Sequence, residues 1–160
     1  MASCPHTSWG RGVWGGNVVD DLSPIRVLVV DDDPGIFELM SAVAIDHPMV
    51  EAVTGARSPE EALALSRHTP PDAILLDHHF PTAEPPEHEP SKPPMRGMTG
   101  LEAVEFLRAA APGAVIAIFT GNTGLAGSAE NSGADMYIVK GRSPRAALDD
   151  LCEQARRRKG

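Results

Sequence analysis

The sequence predicts a doubly wound α/β fold, in which helices cover both faces of a single five-stranded parallel sheet. Three observations predict this class: short apolar runs, segments of helical periodicity between them, and helix start signals ahead of those segments. Three of the runs are almost continuously apolar and rich in Val and Ile, as expected for strands buried on both faces. Because crossovers between parallel strands are right-handed, the alternation places helices on both sides of the sheet. The predicted strands are residues 26–30, 49–53, 73–76, 115–119 and 136–139.

Most of the predicted helices begin with a recognisable N-terminal signal. Asp33 is an N-cap candidate followed by proline, and Ser58 and Thr99 each begin the pattern of a capping box. Ser143, also followed by proline, is predicted to begin the last helix. Apolar residues at helical spacing give the buried faces of the first and last helices: Ile36, Leu39, Met40 and Val43, then Ala147, Leu148, Leu151, Cys152 and Ala155.

The fourth helix is predicted to be short or mobile, because Gly124, Gly127 and Gly133 lie between residues 123 and 135. Glycine in a helix interior costs about 0.5–1 kcal/mol relative to alanine. The last helix ends in four consecutive cations at residues 156–159. Cations suit the C-terminal end of the helix dipole, so we interpret this cluster as a solvated helix terminus rather than a nucleic-acid patch.

The composition argues against several classes of function. The 160 residues carry a formal net charge of -8, which disfavours a general nucleic-acid binder. The two cysteines, Cys4 and Cys152, lie at opposite ends of the chain, so neither a disulfide framework nor a zinc finger is indicated. No apolar stretch approaches the roughly 20 residues of a membrane span, and the first 23 residues lack the features of a signal peptide. We therefore expect a cytoplasmic protein without a membrane partner.

We interpret residues 1–23 as a flexible N-terminal extension and residues 24–160 as one domain. Trp9 and Trp14 are the large apolar residues of the extension, and we assign them to a loosely packed tail rather than to a docking element. Residues 82–96 hold five prolines and mixed charges without apolar periodicity, which is typical of an inserted loop. We expect no DNA-binding or catalytic output domain after Gly160.

Polar residues follow four of the five predicted strands directly. In open α/β sheets, ligands bind outside the carboxyl ends of the strands, so these residues are expected to converge. Clustered carboxylates repel one another unless a cation is present, and hard oxygen ligands suit Mg²⁺. A lysine and a hydroxyl opposite the carboxylates would hold a phosphoryl group, with Asp77 as the nucleophile. The converging residues are Asp31, Asp32 and Asp33, then Asp77, Thr120 and Lys140.

Two groups of candidate metal ligands have plainer interpretations. Asp33 is better explained as the N-cap of the first helix than as a metal ligand. His78, His79 and His88, with three nearby glutamates, can in principle hold a transition metal. Their spacing matches no zinc pattern, so we interpret these histidines as solvated loop residues.

Five stretches of the sequence resemble the receiver domains of bacterial two-component response regulators. Together they extend over nearly all of the chain outside the N-terminal extension, and they occur in the family's order. The resemblance implies a flavodoxin-like sheet with strand order 2-1-3-4-5. The stretches are VLVVDDDP (27–34), PDAILLDHHFP (71–81), GMTGLE (97–102), IFTG (118–121) and GADMYIVKG (133–141).

The resemblance implies a role for each matching position. Asp77 would be the phosphoacceptor, and Thr120 and Lys140 would contact the phosphoryl group. Asp31, Asp32, Asp77 and the backbone carbonyl of His79 would hold Mg²⁺ or Mn²⁺. Tyr137 would be the switch aromatic that responds to Thr120, and His79 and Asn122 would tune the lifetime of the acyl phosphate. The donor would be a sensor histidine kinase or a phosphotransfer protein, and the output would be docking to a protein effector.

The sequence departs from the family pattern at three places. Gly141 stands where a proline usually follows the lysine, which removes the fixed φ of that turn. Residues 82–96 interrupt a segment that normally runs straight through, and the stretch from Thr120 to Lys140 is slightly short. These departures argue for an alternative function, a pseudo-receiver that acts as an interaction module without phosphorylation, whereas the full acidic set, Thr120 and Lys140 argue against it.

A phosphatase-type hydrolase is a second alternative, since Asp31 and Asp33 form a DxD pattern after the first strand. No cap domain or substrate pocket is evident, so we expect no separate substrate turnover. The oligomeric state, the cognate kinase and the downstream target are left open by the sequence.

Overall fold

The computed structural model describes residues 23–80 and 98–160, which form five parallel strands and five α-helices. The strand order is β2-β1-β3-β4-β5, with every neighbouring pair parallel, so the predicted doubly wound fold and strand order are confirmed. Trp9, Trp14 and the predicted insertion at 82–96 lie outside the described residues. The strands are β1 (Ile25–Val30), β2 (Val50–Ala56), β3 (Ala73–Asp77), β4 (Val115–Thr120) and β5 (Met136–Val139). The helices are α1 (Pro34–Ala44), α2 (Pro59–His68), α3 (Gly100–Ala110), α4 (Ala126–Asn131) and α5 (Pro144–Lys159).

The sheet separates two apolar layers. Val27 and Val29 of β1 pack in the layer that α1 and α5 cover, whereas Leu28 and Val30 pack in the layer beneath α2 and α3. The central strands β3 and β4 are buried along their whole length. A strand with an apolar layer on each side needs apolar residues at every position, which explains the continuous runs in the sequence. The buried stripe of α5 consists of the five residues predicted for it.

The hydrogen bonds at the N-termini of α1, α2 and α3 show which of the predicted helix caps form. Asp33 caps α1, its Oδ1 accepting a hydrogen bond from the Gly35 amide at 2.8 Å. Thr99 and Glu102 form the complete capping box predicted for α3. The box predicted for α2 forms only in part: Ser58 accepts from the Glu61 amide, but the Glu61 carboxylate accepts from the Arg57 amide.

Two other predictions about the helices have different outcomes. The fourth helix is short as predicted: α4 has six residues and follows a single 3₁₀ turn at Thr123–Leu125. Leu39 was assigned to the buried face of α1, and this was wrong because its side chain is 44% exposed. Successive helical residues lie about 100° apart, so the burial of Met40 turns Leu39 toward the flank of the helix.

Three of the four cations at the end of α5 are exposed, as predicted for a solvated helix terminus, and two of them also form ion pairs with residues outside the helix. Arg158 pairs with Asp135 at 2.9 Å, and Lys159 pairs with Asp72 at 3.0 Å and donates to the Pro24 carbonyl. These contacts fasten the C-terminal end of α5 to the edge where the strands begin. No helix in the described part of the chain is long and apolar enough to cross a membrane.

Candidate functional site

A cleft of about 420 Å³ lies at the carboxyl edge of the sheet. Strands β1, β3, β4 and β5 each deliver a polar residue to it, as the sequence predicted from their endings. The structure therefore brings together residues that are as much as 109 positions apart in the chain. The cleft is lined by Asp31, Asp32, Asp33, Asp77, His79, Phe80, Thr120, Gly121 and Lys140.

Three carboxylates form the acidic side of the cleft. Asp31 and Asp77 are buried, each with 4% of its surface exposed, while Asp32 is exposed at the rim. One ligand oxygen from each of the three lies within 4.8 Å of the others, close enough to share a cation. Oxygen-only donors of this kind suit a hard divalent ion such as Mg²⁺. The donor set thus fits the metal that the sequence implied, and Asp33 uses its carboxylate to cap α1.

Lys140 supplies the positive charge of the cleft. Its Nζ lies 2.8 Å from Oδ2 of Asp31 and 3.2 Å from Oδ1 of Asp77. The same nitrogen lies 5.6 Å from the centroid of the Phe119 ring, close enough for a cation–π interaction. Burial alone would lower the pKa of Lys140, but the hydrogen bond to Asp31 and the charge of Asp77 outweigh it and raise that pKa. The side chain therefore stays an ammonium.

The Asp77 carboxylate, at the end of β3, is oriented by the backbone amide of the next residue. The His78 amide donates to Asp77 Oδ1 at 2.8 Å, which orients the carboxylate. Burial is the largest cause of a raised Asp77 pKa, and the charge of Asp31 adds to it, while Lys140 acts in the opposite direction. A divalent cation beside the three carboxylates would also favour the ionised form.

Thr120 lies at the end of β4 and is 1% exposed. Its Oγ1 accepts a hydrogen bond from the Asn122 amide at 3.2 Å, which fixes the side chain in the first turn after the strand. Its carbonyl accepts from the Lys140 amide at 3.0 Å. The hydroxyl and the lysine of the cleft are thus tied together through the backbone of two neighbouring strands.

The other predicted site residues lie at the rim or outside the cleft. His79 lines the cleft with an exposed side chain, and its ring packs edge-on against His78 with centroids 4.6 Å apart. Asn122 lies beyond the lining, and its Oδ1 accepts from the Gly124 amide at 2.9 Å. The Tyr137 hydroxyl donates to the Asn122 carbonyl. The roles assigned to these three residues stay predictions, and His88 lies outside the described residues.

Sequence reasoning missed two neighbours of the charged groups. Phe119 was assigned only to a strand, yet its ring lies beneath the Lys140 ammonium. Gly100 lies in the GMTGLE stretch, which predicts only the start of a helix, yet a Cβ at this residue would overlap the Asp77 carbonyl oxygen. The second glycine of GMTGLE, Gly100, was itself the available signal for its contact with Asp77, since glycine often marks a close approach of two backbones.

Fold and site together define a doubly wound α/β domain with an acidic cleft and one lysine at the carboxyl edge of the sheet. No family model matches the chain. The DNA-binding response regulator MtrA of Mycolicibacterium smegmatis is 31% identical over 134 residues, which cover 82% of this chain and 51% of that protein. Protein-glutamate methylesterase/protein-glutamine glutaminase 3 of Myxococcus xanthus is 38% identical over 63 residues, 39% of this chain and 18% of that protein. The chain spans about half the length of MtrA and a smaller share of the methylesterase.

Solved structures agree with these relatives. A CheY-like response regulator receiver domain protein from Methanospirillum hungatei JF-1 is 25% identical and gives a TM-score of 0.68, covering 86% of this chain and 98% of that chain. A two-component response regulator of the LuxR family from Aurantimonas sp. SI85-9A1 is 28% identical, with a TM-score of 0.67 over 84% of this chain and 86% of that one. The chain belongs to the receiver-domain family of response regulators, as its motifs predicted.

Proposed function

We propose that this receiver domain accepts a phosphoryl group on Asp77, with Mg²⁺ or Mn²⁺ held by Asp31, Asp32, Asp77 and the carbonyl of His79. The observation that carries the proposal is the position of Lys140, whose ammonium contacts both buried carboxylates of the cleft. A cation fixed beside the acceptor carboxylate can contact the phosphoryl oxygens as charge moves during transfer. The metal supplies further neutralisation of those oxygens and of the carboxylates when it is bound.

Each protein group has a defined part in the proposed transfer. An Asp77 carboxylate oxygen forms the new bond to phosphorus, and the bond from phosphorus to the donor nitrogen breaks. The imidazole of the donor leaves with the electron pair of that bond. Lys140 and the Thr120 hydroxyl hold the oxygens of the transferred group. Burial of Asp77 would limit the access of bulk water to the acyl phosphate, and His79, which lines the same cleft with an exposed side chain, would influence the approach of attacking water.

The proposed output is docking to a protein effector. Thr120 contacts the Asn122 amide, and the Asn122 carbonyl accepts from Tyr137, so a continuous set of contacts leads from the cleft to β5. A shift of Thr120 toward a phosphoryl group would alter this turn and the adjoining α4–β5–α5 face. We propose a histidine kinase or a phosphotransfer protein as the donor, with the exchange taking place in the cytoplasm. The net charge of -8 disfavours direct contact of this domain with nucleic acid.

Acetyl phosphate provides a direct test without knowledge of the kinase. The wild-type protein and the Asp77→Asn variant would be incubated with acetyl phosphate and Mg²⁺, and intact masses would be compared. The proposal predicts a gain of one phosphoryl group in the wild type and none in the variant or in the presence of EDTA. An unmodified wild-type mass, with a histidine-kinase donor also inactive, would favour the alternative of a phosphorylation-independent interaction module.

A further inference from the structure

The first residue of α3 lies directly against the backbone of the proposed phosphoacceptor. The Gly100 amide donates to the His78 carbonyl at 2.8 Å. A Cβ built on Gly100 would lie 1.9 Å from the Asp77 carbonyl oxygen and 2.9 Å from the His78 Cα. Both neighbours are backbone atoms, so no side-chain rotation could relieve the overlap. An added methyl group there must move α3 and the end of β3 apart.

The start of α3 is held firmly enough to transmit such a displacement. Thr99 Oγ1 accepts from the Glu102 amide at 3.3 Å, and the Glu102 carboxylate accepts from the Thr99 amide at 2.9 Å. This box fixes the helix start on both sides of the glycine. At Gly113 the situation is different, because a Cβ there meets no atom of the described residues within 4 Å. Gly55 also has a close neighbour, but that neighbour is the Phe37 side chain, whereas the atoms that overlap a Cβ at Gly100 belong to the backbone.

The geometry points to Gly100 as a positioning residue of the metal and phosphoryl site, an inference that rests on the proposed function. The Asp77 carboxylate and the His79 carbonyl leave the chain within two residues of the contact, whereas Asp31 and Lys140 come from other strands. The spacing between the Asp77 and His79 ligands on one side, and the Asp31 ligand and the Lys140 ammonium on the other, then depends on how closely α3 approaches β3. A side chain at position 100 would displace Asp77 and His79 from Asp31 and Lys140 without removing any ligand.

Metal affinity provides a readout that is independent of phosphorylation. Mn²⁺ binding would be measured by electron paramagnetic resonance for Gly100→Ala and for the matched variant Gly113→Ala, under conditions where circular dichroism shows both to be folded. We expect Gly100→Ala to bind Mn²⁺ about 10- to 100-fold more weakly, the range seen when groups that orient metal ligands are changed. We expect Gly113→Ala to bind Mn²⁺ with wild-type affinity. Equal affinities in folded Gly100→Ala and the wild type would overturn the inference.

A second pair of variants covers the case in which Gly100→Ala does not fold. Thr99→Ala removes the N-cap of α3, and Ser58→Ala removes the equivalent N-cap of α2, whose residue does not line the cleft. We expect Thr99→Ala to weaken Mn²⁺ binding about threefold or more, since small misplacements of reacting groups have large effects, and Ser58→Ala to leave it unchanged. The same affinity in both variants would contradict the positioning role. If the wild type binds Mn²⁺ but takes no phosphoryl group, the proposed function fails, and the Mn²⁺ affinities of the variants still test the positioning role of Gly100. If the wild type binds no Mn²⁺, both the proposed function and the positioning role are overturned.

Discussion

The ammonium of Lys140 lies 3.2 Å from Oδ1 of Asp77, so the buried carboxylate has a cation beside it without any metal. The same ammonium lies 2.8 Å from Oδ2 of Asp31. One lysine thus offsets the repulsion between two carboxylates that come from different strands. In the proposed function it would compete with a divalent cation for those carboxylates, and it would turn toward a phosphoryl group once a metal neutralised them.

Replacing Lys140 with methionine tests this competition. Methionine keeps most of the apolar stem and removes the charge, so the two carboxylates are left without their cation. We expect the metal-free protein to lose about 1–3 kcal/mol of stability, which Mg²⁺ should restore. Mg²⁺ should bind more tightly than to the wild type, while phosphorylation by acetyl phosphate should slow by at least about tenfold. Calorimetric titration and the rate of mass gain measure the two effects.

The matched control for this change is Lys159→Met. Lys159 pairs with Asp72 at the opposite edge of the sheet, so its loss should leave Mg²⁺ affinity and phosphorylation unchanged. Weaker Mg²⁺ binding in Lys140→Met would contradict the account of competition between the lysine and the metal.

Asp31 and Asp33 are expected to differ sharply in their effect on metal binding. Asp31 offers a buried ligand oxygen to the acidic cluster, whereas Asp33 caps α1. We expect Asp31→Asn to abolish most of the increase in melting temperature that Mg²⁺ gives, because a carboxylate ligand is lost. Asp33→Asn should retain that increase, since asparagine is an equally good N-cap. Melting curves with and without Mg²⁺ distinguish the two, and an equal loss in both variants would assign Asp33 to the metal site.

The pH dependence of stability tests the ion pairs at the other edge of the sheet. Burial alone would raise the pKa of Asp135, but hydrogen bonds from the Ile116 amide and Arg108 outweigh it and lower that pKa. A carboxyl with a lowered pKa stabilises the fold above its unfolded pKa, near 3.8, and the stability is lost as pH falls through the folded value. We expect Asp135→Asn to lose about 1–2 kcal/mol at neutral pH, allowing for partial exposure of the carboxylate.

Urea unfolding of the wild type and Asp135→Asn across the acidic range measures this effect. The difference between the two should shrink as the pH is lowered below about 4. Asp150→Asn is the control, because Asp150 pairs with Arg142 in an exposed position and its loss should matter little. A stability difference that is independent of pH would contradict the lowered pKa.

The rates of amide hydrogen exchange should differ between α4 and α3. Ala129 is the buried residue of the six-residue α4, whereas α3 has eleven residues and buries Gly100, Ala103, Val104 and Leu107. Few buried contacts favour local opening, so we expect the α4 amides to exchange faster than those of α3. Exchange followed by mass spectrometry of peptic peptides measures both helices in one sample. Equal protection of the two would show that α4 is as firmly packed as α3.

The fold was predictable because its local signals and its global pattern agree. Continuous apolar runs marked β3 and β4, and the N-caps at Asp33 and Thr99 marked where α1 and α3 begin. The convergence of the cleft residues followed from the rule that parallel strands end at one edge. Family resemblance then assigned a role to each of those residues.

The sequence did not reveal the particular side-chain contacts and helix orientations that depend on tertiary packing. The ion pairs of Arg158 and Lys159 were not predicted because their partners, Asp135 and Asp72, lie directly before β5 and β3, away from α5 in the chain. The exposure of Leu39 depends on the rotation of α1 about its axis, which periodicity fixes only coarsely. The contact of Gly100 with Asp77 requires the packing of α3 against β3; the glycine signals a close approach, but the local sequence does not identify the partner.

The central claim, that Asp77 is the phosphoacceptor, is tested most directly by locating the acyl phosphate in the chain. After reaction with acetyl phosphate and Mg²⁺, borohydride reduction converts a phosphorylated aspartate to homoserine, which tandem mass spectrometry can place. We expect homoserine at position 77 in the wild type, and none there when Mg²⁺ is removed with EDTA. Homoserine at Asp31, Asp32 or another carboxylate, or its absence despite phosphoryl transfer, would contradict this claim.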